Sequence, residues 1–167
     1  MKDRLDIETV VSKLYVKPVV KTVRYASTGY ANTSQTINTG RKVSIGINLI
    51  KPISGTITSR FGNRGRGTHT GLDIATSKGT PIKSAASGTV TYSGYKGSYG
   101  NLVIITHTDG TQTYYAHCNT LNVTAGQSVS QGQTIATVGS TGNSTGPHLH
   151  LEIRVNGVAQ NPQNYLY

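Results

Sequence analysis

Residues 148–155 read HLHLEIRV, and the alternation in this stretch decides the fold. His148, His150, Glu152 and Arg154 fall on one side, and Leu149, Leu151, Ile153 and Val155 on the other. Successive side chains of a strand point to opposite faces, so this is the pattern of a half-buried β-strand. Its apolar set is expected to face a core, and both histidines are expected to point together into a cleft. Working outward, Thr111 to His117 reads as a second strand, with Thr113, Tyr115 and His117 on a common face. The run Leu102 to Thr106 is continuously apolar and suits a central strand buried on both sides. From Ser44 onward, short β-like runs are punctuated by glycines from Gly55 to Gly157, with no helical-period segment between them. These features predict an all-β fold, mainly an antiparallel sheet or sandwich with long connecting loops.

The segment before this texture is different. Val10 to Val23 alternates, with Pro18 placing it at a sheet edge or a bend, so residues 1–26 read as a β-like segment of unknown role. Residues 27–50 read as a polar linker or arm, which leaves residues 51–167 as the working domain. The 167 residues suit one ordinary domain plus an appendage. Lys and Arg total 16 against 6 acidic residues, a formal charge of +10. That field favours adsorption to a polyanion without naming it: nucleic acid, an anionic membrane and a teichoic-acid-bearing wall all qualify. No Lys/Arg run marks a nucleic-acid arm, and no apolar stretch approaches the roughly 20 residues of a membrane span. The single cysteine, Cys118, excludes an intrachain disulfide. No apolar core follows the first residues, so any export signal is expected to be removed or to belong to a longer parent chain.

Four of the five histidines sit in tight local contexts. His69 and Asp73 lie in HTGLD, His117 in YYAHC, and His148 with His150 in HLH. A catalytic zinc takes three protein ligands and keeps a fourth position for water. One Asp and two His meet that count and leave two histidines for acid–base work. Taken singly, each pattern is one that surface or core histidines satisfy by chance. Their combination in one histidine-poor domain is what carries the reading.

Over residues 51–167 the chain resembles the lysostaphin/LytM-like zinc endopeptidases of bacterial walls and phages. The resemblance rests on SRFGNRGRGTHTGLDIATSKGTPIKSAASGTV, then YGNLVIITHTDGTQTYYAHC, then VTAGQSVSQGQTIATVGSTGNSTGPHLHLEI. It implies that His69, Asp73 and His150 bind Zn2+, and that the catalytic pair His117 and His148 flanks a metal-activated water, with base and acid unassigned between them. It implies hydrolysis of peptide bonds in peptidoglycan, in cross-bridge or stem peptide, at the cell wall or outside the cell. The expected partners are peptidoglycan and anionic wall polymers, with no nucleic acid, and the expected state is a monomer. Two rivals stand beside the enzyme: a scaffold or activator that has lost catalysis on the same fold, and a wall-binding or phage-tail module. Some relatives carry an upstream Asn in the zinc's open position, a place that Asn32 or Asn38 would take here.

Several residues admit two readings. His107 is expected to be structural or to support the site through a hydrogen bond. Glu152 either orients a ligand histidine or is a solvent-facing or Arg-paired group. Tyr115 lines the cleft or packs across the strand pair, and Cys118 is expected to be a small buried hydrophobe. Tyr92, Tyr95 and Tyr99 cluster in TYSGYKGSYGN, and Tyr95 or Tyr99 is expected to touch substrate. Arg60, Arg64 and Arg66 either meet acidic stem-peptide groups or belong to a solvated loop.

Overall fold

The computed structural model describes residues 37–38, 42–65 and 67–167, all within the unit Thr33–Tyr167. The expectations for Val10 to Val23, Asn32 and Arg66 lie outside the described residues. The strands run in order as β1 (Ile37–Asn38), β2 (Thr56–Ser59), β3 (Gly62–Asn63), β4 (Thr68–His69), β5 (Leu72–Ala75), β6 (Pro81–Lys83) and β7 (Gly88–Tyr95). A single 3-10 turn, Gly97–Tyr99, leads into β8 (Asn101–His107), β9 (Gln112–Leu121), β10 (Ser128–Val129), β11 (Thr134–Val138), β12 (His148–Val155) and β13 (Val158–Gln160). One short helix, α1 (Gln163–Leu166), follows. The described residues are thus mostly antiparallel β-sheet with almost no helix.

Eleven strands join one branched sheet whose spine is β1-β13-β12-β9-β8-β7-β10. Among the described strands only β1 pairs in parallel, with Ile37 opposite Ala159 and Asn38 opposite Gln160. The turn from β12 to β13 is Asn156-Gly157, with Val155 opposite Val158. Both residues take positive φ, 51° and 78°, which a two-residue hairpin of matching twist requires and which Asn and Gly tolerate best.

The expected alternation in β12 is what buries it. Leu149, Leu151 and Ile153 are essentially inaccessible and meet Leu72 and Ile74 of β5, Val103 and Ile105 of β8, and Tyr115 of β9 in one core. Each such side chain contributes about 1.5–3 kcal/mol on full burial. Strand β8 is buried on both faces, as its apolar run requires. Val103 and Ile105 enter this core, while Leu102 and Ile104 pack with Ala116, Tyr92, Tyr99 and Tyr114 on the other side. Ile45, Ile47 and Leu49 also join the core. Leu49 is buried, Ile45 and Ile47 pack against it, and the Ile50 N–H donates to Ala85 O.

Strand β9 departs from simple alternation. Leu151 lies opposite Tyr115 and Ile153 opposite Thr113, so Thr113 and Tyr115 face the core. His117 was expected on that face and is not. The β8–β9 register shifts between the pairs Asn101–Cys118 and Val103–Tyr115, leaving one residue too many on β9. His117 sits in the bulge at φ 61°, the left-handed region, and its ring turns to the opposite side. Cys118 then returns to the core, fully buried, and burial pushes its thiol up to about 12. It is a buried hydrophobe, as expected.

Candidate metal and catalytic site

The site forms where β5, β12 and the β3–β4 hairpin meet. His150 lies directly opposite Asp73 in the β12–β5 ladder. Leu72 and Ile74 face the core, so Asp73, between them, faces the same side as His150. His69 arrives from β4, where it pairs with Gly62. The chain between His69 and Asp73 passes under the His150 ring at Gly71. A Cβ there would lie 2.5 Å from Leu151 O and 2.7 Å from His150 Cε1, so the glycine in HTGLD is required by close approach.

Three donor atoms converge. His150 Nδ1 is 2.8 Å from Asp73 Oδ1, His69 Nε2 is 3.0 Å from the same oxygen, and the two ring nitrogens are 3.1 Å apart. The far nitrogens are committed elsewhere. His69 Nδ1 donates to Arg60 O at 2.9 Å, and His150 Nε2 donates to Glu152 Oε1 at 3.1 Å. Two ring nitrogens and a carboxylate oxygen are left facing one point, where a metal ion could be held by all three. A tetrahedral zinc with bonds of about 2.0–2.1 Å needs donor separations of about 3.3 Å, a few tenths beyond those observed. The residues therefore fit a zinc ion.

The electrostatics agree. Burial alone would raise the Asp73 pKa, yet hydrogen bonds with His150 and His69 hold its carboxyl well below the usual carboxylate range. Burial works against charge on His150, but Asp73 and Glu152 outweigh it and raise its pKa to about 8. A proton and a divalent cation therefore compete for the point between His150 and Asp73. Arg64 approaches the outer oxygen of Asp73 at 3.6 Å.

His117 and His148 stand beside this triangle. Their ring centroids are 4.7 Å apart, and His117 is 5.7 Å from His150 by the same measure. His148 Nε2 lies 3.8 Å from Asp73 Oδ1. His148 Nδ1 donates to Gly146 O and His117 Nδ1 donates to Thr141 O, both at 2.8 Å. Carbonyl oxygens only accept, so each ring carries its proton on Nδ1 and leaves an Nε2 lone pair. Burial lowers the His117 pKa, against the opposing pull of the Thr141 carbonyl. All five expected site residues are thus gathered in one place.

The cleft above them is lined by Arg64, Thr68, Ser98, Tyr99, Asn143 and Ser144, among others. Tyr99 lines it, whereas Tyr95 is exposed and stands outside it. Arg60 turns to Gln163 Oε1 at 2.8 Å. His107 is structural: it bonds Ser87 O and Thr113 Oγ1, both at 2.9 Å. Glu152 is fully buried and paired with Arg154 at 2.6 Å, which removes the solvent-facing reading. Burial would raise its pKa, but His150 and Arg154 bring it down to about 2. Sequence reasoning missed Thr141, which holds His117. Thr141 Oγ1 donates to Cys118 O at 2.8 Å and accepts from Asn101 N–H at 3.0 Å, fixing the loop to the bulge. Thr141 and Gly146 lie in GSTGNSTGP, a stretch that carried the resemblance without any residue being singled out.

A histidine–aspartate–histidine triangle flanked by two histidines on a β-sheet is an arrangement that could hold a metal ion, and the comparisons place the chain in a peptidase family. The family model of peptidase family M23 matches residues 67–162, more than half of the chain, and the chain belongs to that family. It is 50% identical over 94 residues to the DD-carboxypeptidase/endopeptidase Mpg of Neisseria meningitidis serogroup B, covering 56% of this chain and 22% of that protein. It is 46% identical over 116 residues to the murein hydrolase activator NlpD of Salmonella dublin, covering 69% of this chain and 30% of that one. The fold matches the antimicrobial peptidase lysostaphin from Staphylococcus simulans with a TM-score of 0.63 at 33% identity, over 67% of this chain and 49% of that one. The chain spans less than a third of the length of these two curated relatives.

Proposed function

We propose that this chain is a zinc-dependent endopeptidase that hydrolyses peptide bonds of bacterial peptidoglycan, acting at the wall or outside the cell. The observation that carries the reading is the pairing of a triangle that could hold a metal ion with two histidines whose Nε2 lone pairs are free to take a proton. His69, Asp73 and His150 would hold the metal. When bound there, zinc supplies Lewis-acid polarisation of a carbonyl and makes a water acidic enough to deprotonate near neutral pH. His117 and His148 do the proton work. One accepts a proton at Nε2 as water adds to the scissile carbon, and that same proton, returned directly or through the facing histidine, reaches the leaving nitrogen as the C–N bond breaks. Burial lowers the His117 pKa and so favours its neutral, proton-accepting form. The amide and hydroxyl groups of Thr68, Ser98, Asn143, Ser144 and Thr145 line the cleft, suiting the backbone of a peptide with small side chains.

A second reading has one observation in its favour, the 46% identity to a murein hydrolase activator. In that reading the chain binds and switches on another hydrolase. The complete set of five site residues weighs against it. Purified protein incubated with peptidoglycan separates the two when released amines are scored with chelator and with zinc added back. Amine release that chelation stops and zinc restores supports the enzyme. No release until a second hydrolase is supplied supports the activator.

A further inference from the structure

Glu152 is one of only six acidic residues in the chain, and its side chain is 0% exposed. Five donor atoms close on it. Oε1 accepts from Thr70 Oγ1 at 2.5 Å, Tyr99 OH at 2.8 Å and His150 Nε2 at 3.1 Å. Oε2 takes Arg154 through Nε and Nη2, both at 2.6 Å. Arg154 is itself held, with its guanidinium 4.6 Å from the centre of the Tyr114 ring and an N–H donated to Tyr99 OH at 3.1 Å. A buried ion pair is weak evidence for stability, since desolvating two charges offsets most of their attraction. What distinguishes this one is its third member. The imidazole of His150 has a metal-facing nitrogen, Nδ1, and a far nitrogen whose hydrogen-bond partner is this carboxylate.

We infer that Glu152 is a positioning residue: its carboxylate takes the Nε2–H of His150 and fixes that ring in the tautomer and orientation that present Nδ1 to the metal. Arg154, Thr70 and Tyr99 in turn hold the carboxylate still. Partners of this kind behind a metal-bound histidine set its basicity as well as its angle. Because Tyr99 also lines the cleft, one carboxylate serves both the metal ligand and the cleft wall. The inference rests on the reading of His69, Asp73 and His150 as zinc ligands.

The test is zinc affinity, measured on the full chain by competition with a chromophoric chelator. Glu152→Gln keeps the shape and an acceptor but removes the charge. It is expected to weaken zinc binding roughly 10- to 100-fold, with circular dichroism unchanged. Affinity within threefold of the unaltered protein, with the fold intact, overturns the inference and leaves the zinc reading standing. Absence of zinc binding by the unaltered protein overturns both. Should the variant fail to fold, nitrogen-15 NMR of the unaltered, zinc-loaded protein decides. A His150 proton on Nε2 upholds the inference, and a proton on Nδ1 overturns it.

Discussion

His117 and His148 face each other with ring centroids 4.7 Å apart, and each is locked by its Nδ1 proton to a backbone carbonyl of the segment between Gly139 and His148. One loop therefore orients both histidines proposed to handle protons, while neither belongs to the converging triangle. His117→Ala and His148→Ala are each expected to retain zinc and to lose about 10²- to 10⁴-fold in turnover, the usual contribution of general acid–base catalysis. Metal content by elemental analysis beside the rate of amine release checks this. Loss of zinc in either variant would move that histidine into the ligand set.

Gly71 is expected to tolerate no side chain. A Cβ would sit 2.5 Å from the Leu151 carbonyl and 2.7 Å from the His150 ring, so either the backbone or a converging histidine must shift. Gly71→Ala should destabilise the fold by about 1–3 kcal/mol, as overpacking does. It should also weaken zinc binding at least tenfold. Urea unfolding and chelator competition measure the two effects separately.

His107 makes stability depend on pH in a defined direction. Burial lowers its pKa in the fold below the ordinary 6.5, so the neutral ring is favoured there. The unfolded chain binds the proton more readily, so this contribution is complete above about pH 6.5 and is lost as pH falls below it. Comparison of zinc-free wild type with zinc-free His107→Gln by urea unfolding at pH 5 to 7 isolates the effect. The stability gap between them should shrink as pH falls, and a gap that grows would contradict the assignment.

Tyr115 anchors β9 to the segment before β7. Its hydroxyl, wholly buried, accepts the Ala85 N–H and a hydrogen bond from Thr113 Oγ1, both at 2.9 Å. Tyr115→Phe leaves a buried N–H without that acceptor and should cost about 1–3 kcal/mol. Because the ring faces the core rather than the cleft, turnover per bound zinc should not change. Thermal unfolding and a zinc-normalised rate test both halves.

The strand that carries His148 and His150 was legible because alternation is a local property, and local alternation put both rings on one face. His69 and Asp73 were legible through a short motif whose glycine has a steric reason. The direction of His117 was not. Alternation along β9 puts it on the face of Tyr115, which turns out to be the core face, and the bulge that reverses it is tied to Thr141, which lies far along the chain. The burial of Glu152 was hidden for the same reason. Its position in the strand shows only a polar face beside Arg154, and the groups that close over it, Thr70 and Tyr99, come from distant parts of the chain. The packing of Ile45, Ile47 and Leu49 did leave a signal, since they alternate with small or polar residues. That signal was outweighed by the polar segment just before it.

The most direct test of peptide-bond hydrolysis at this centre is digestion of purified peptidoglycan in water enriched in oxygen-18. The zinc-loaded protein would be run beside zinc-loaded His148→Ala, and the fragments read by mass spectrometry. The account predicts new amino termini matched by new carboxylates that carry one heavy oxygen, formed by the unaltered protein and absent from the variant. Intact peptide cross-links and stems after exposure to the fully metallated protein, or equal cleavage by the variant, would contradict it.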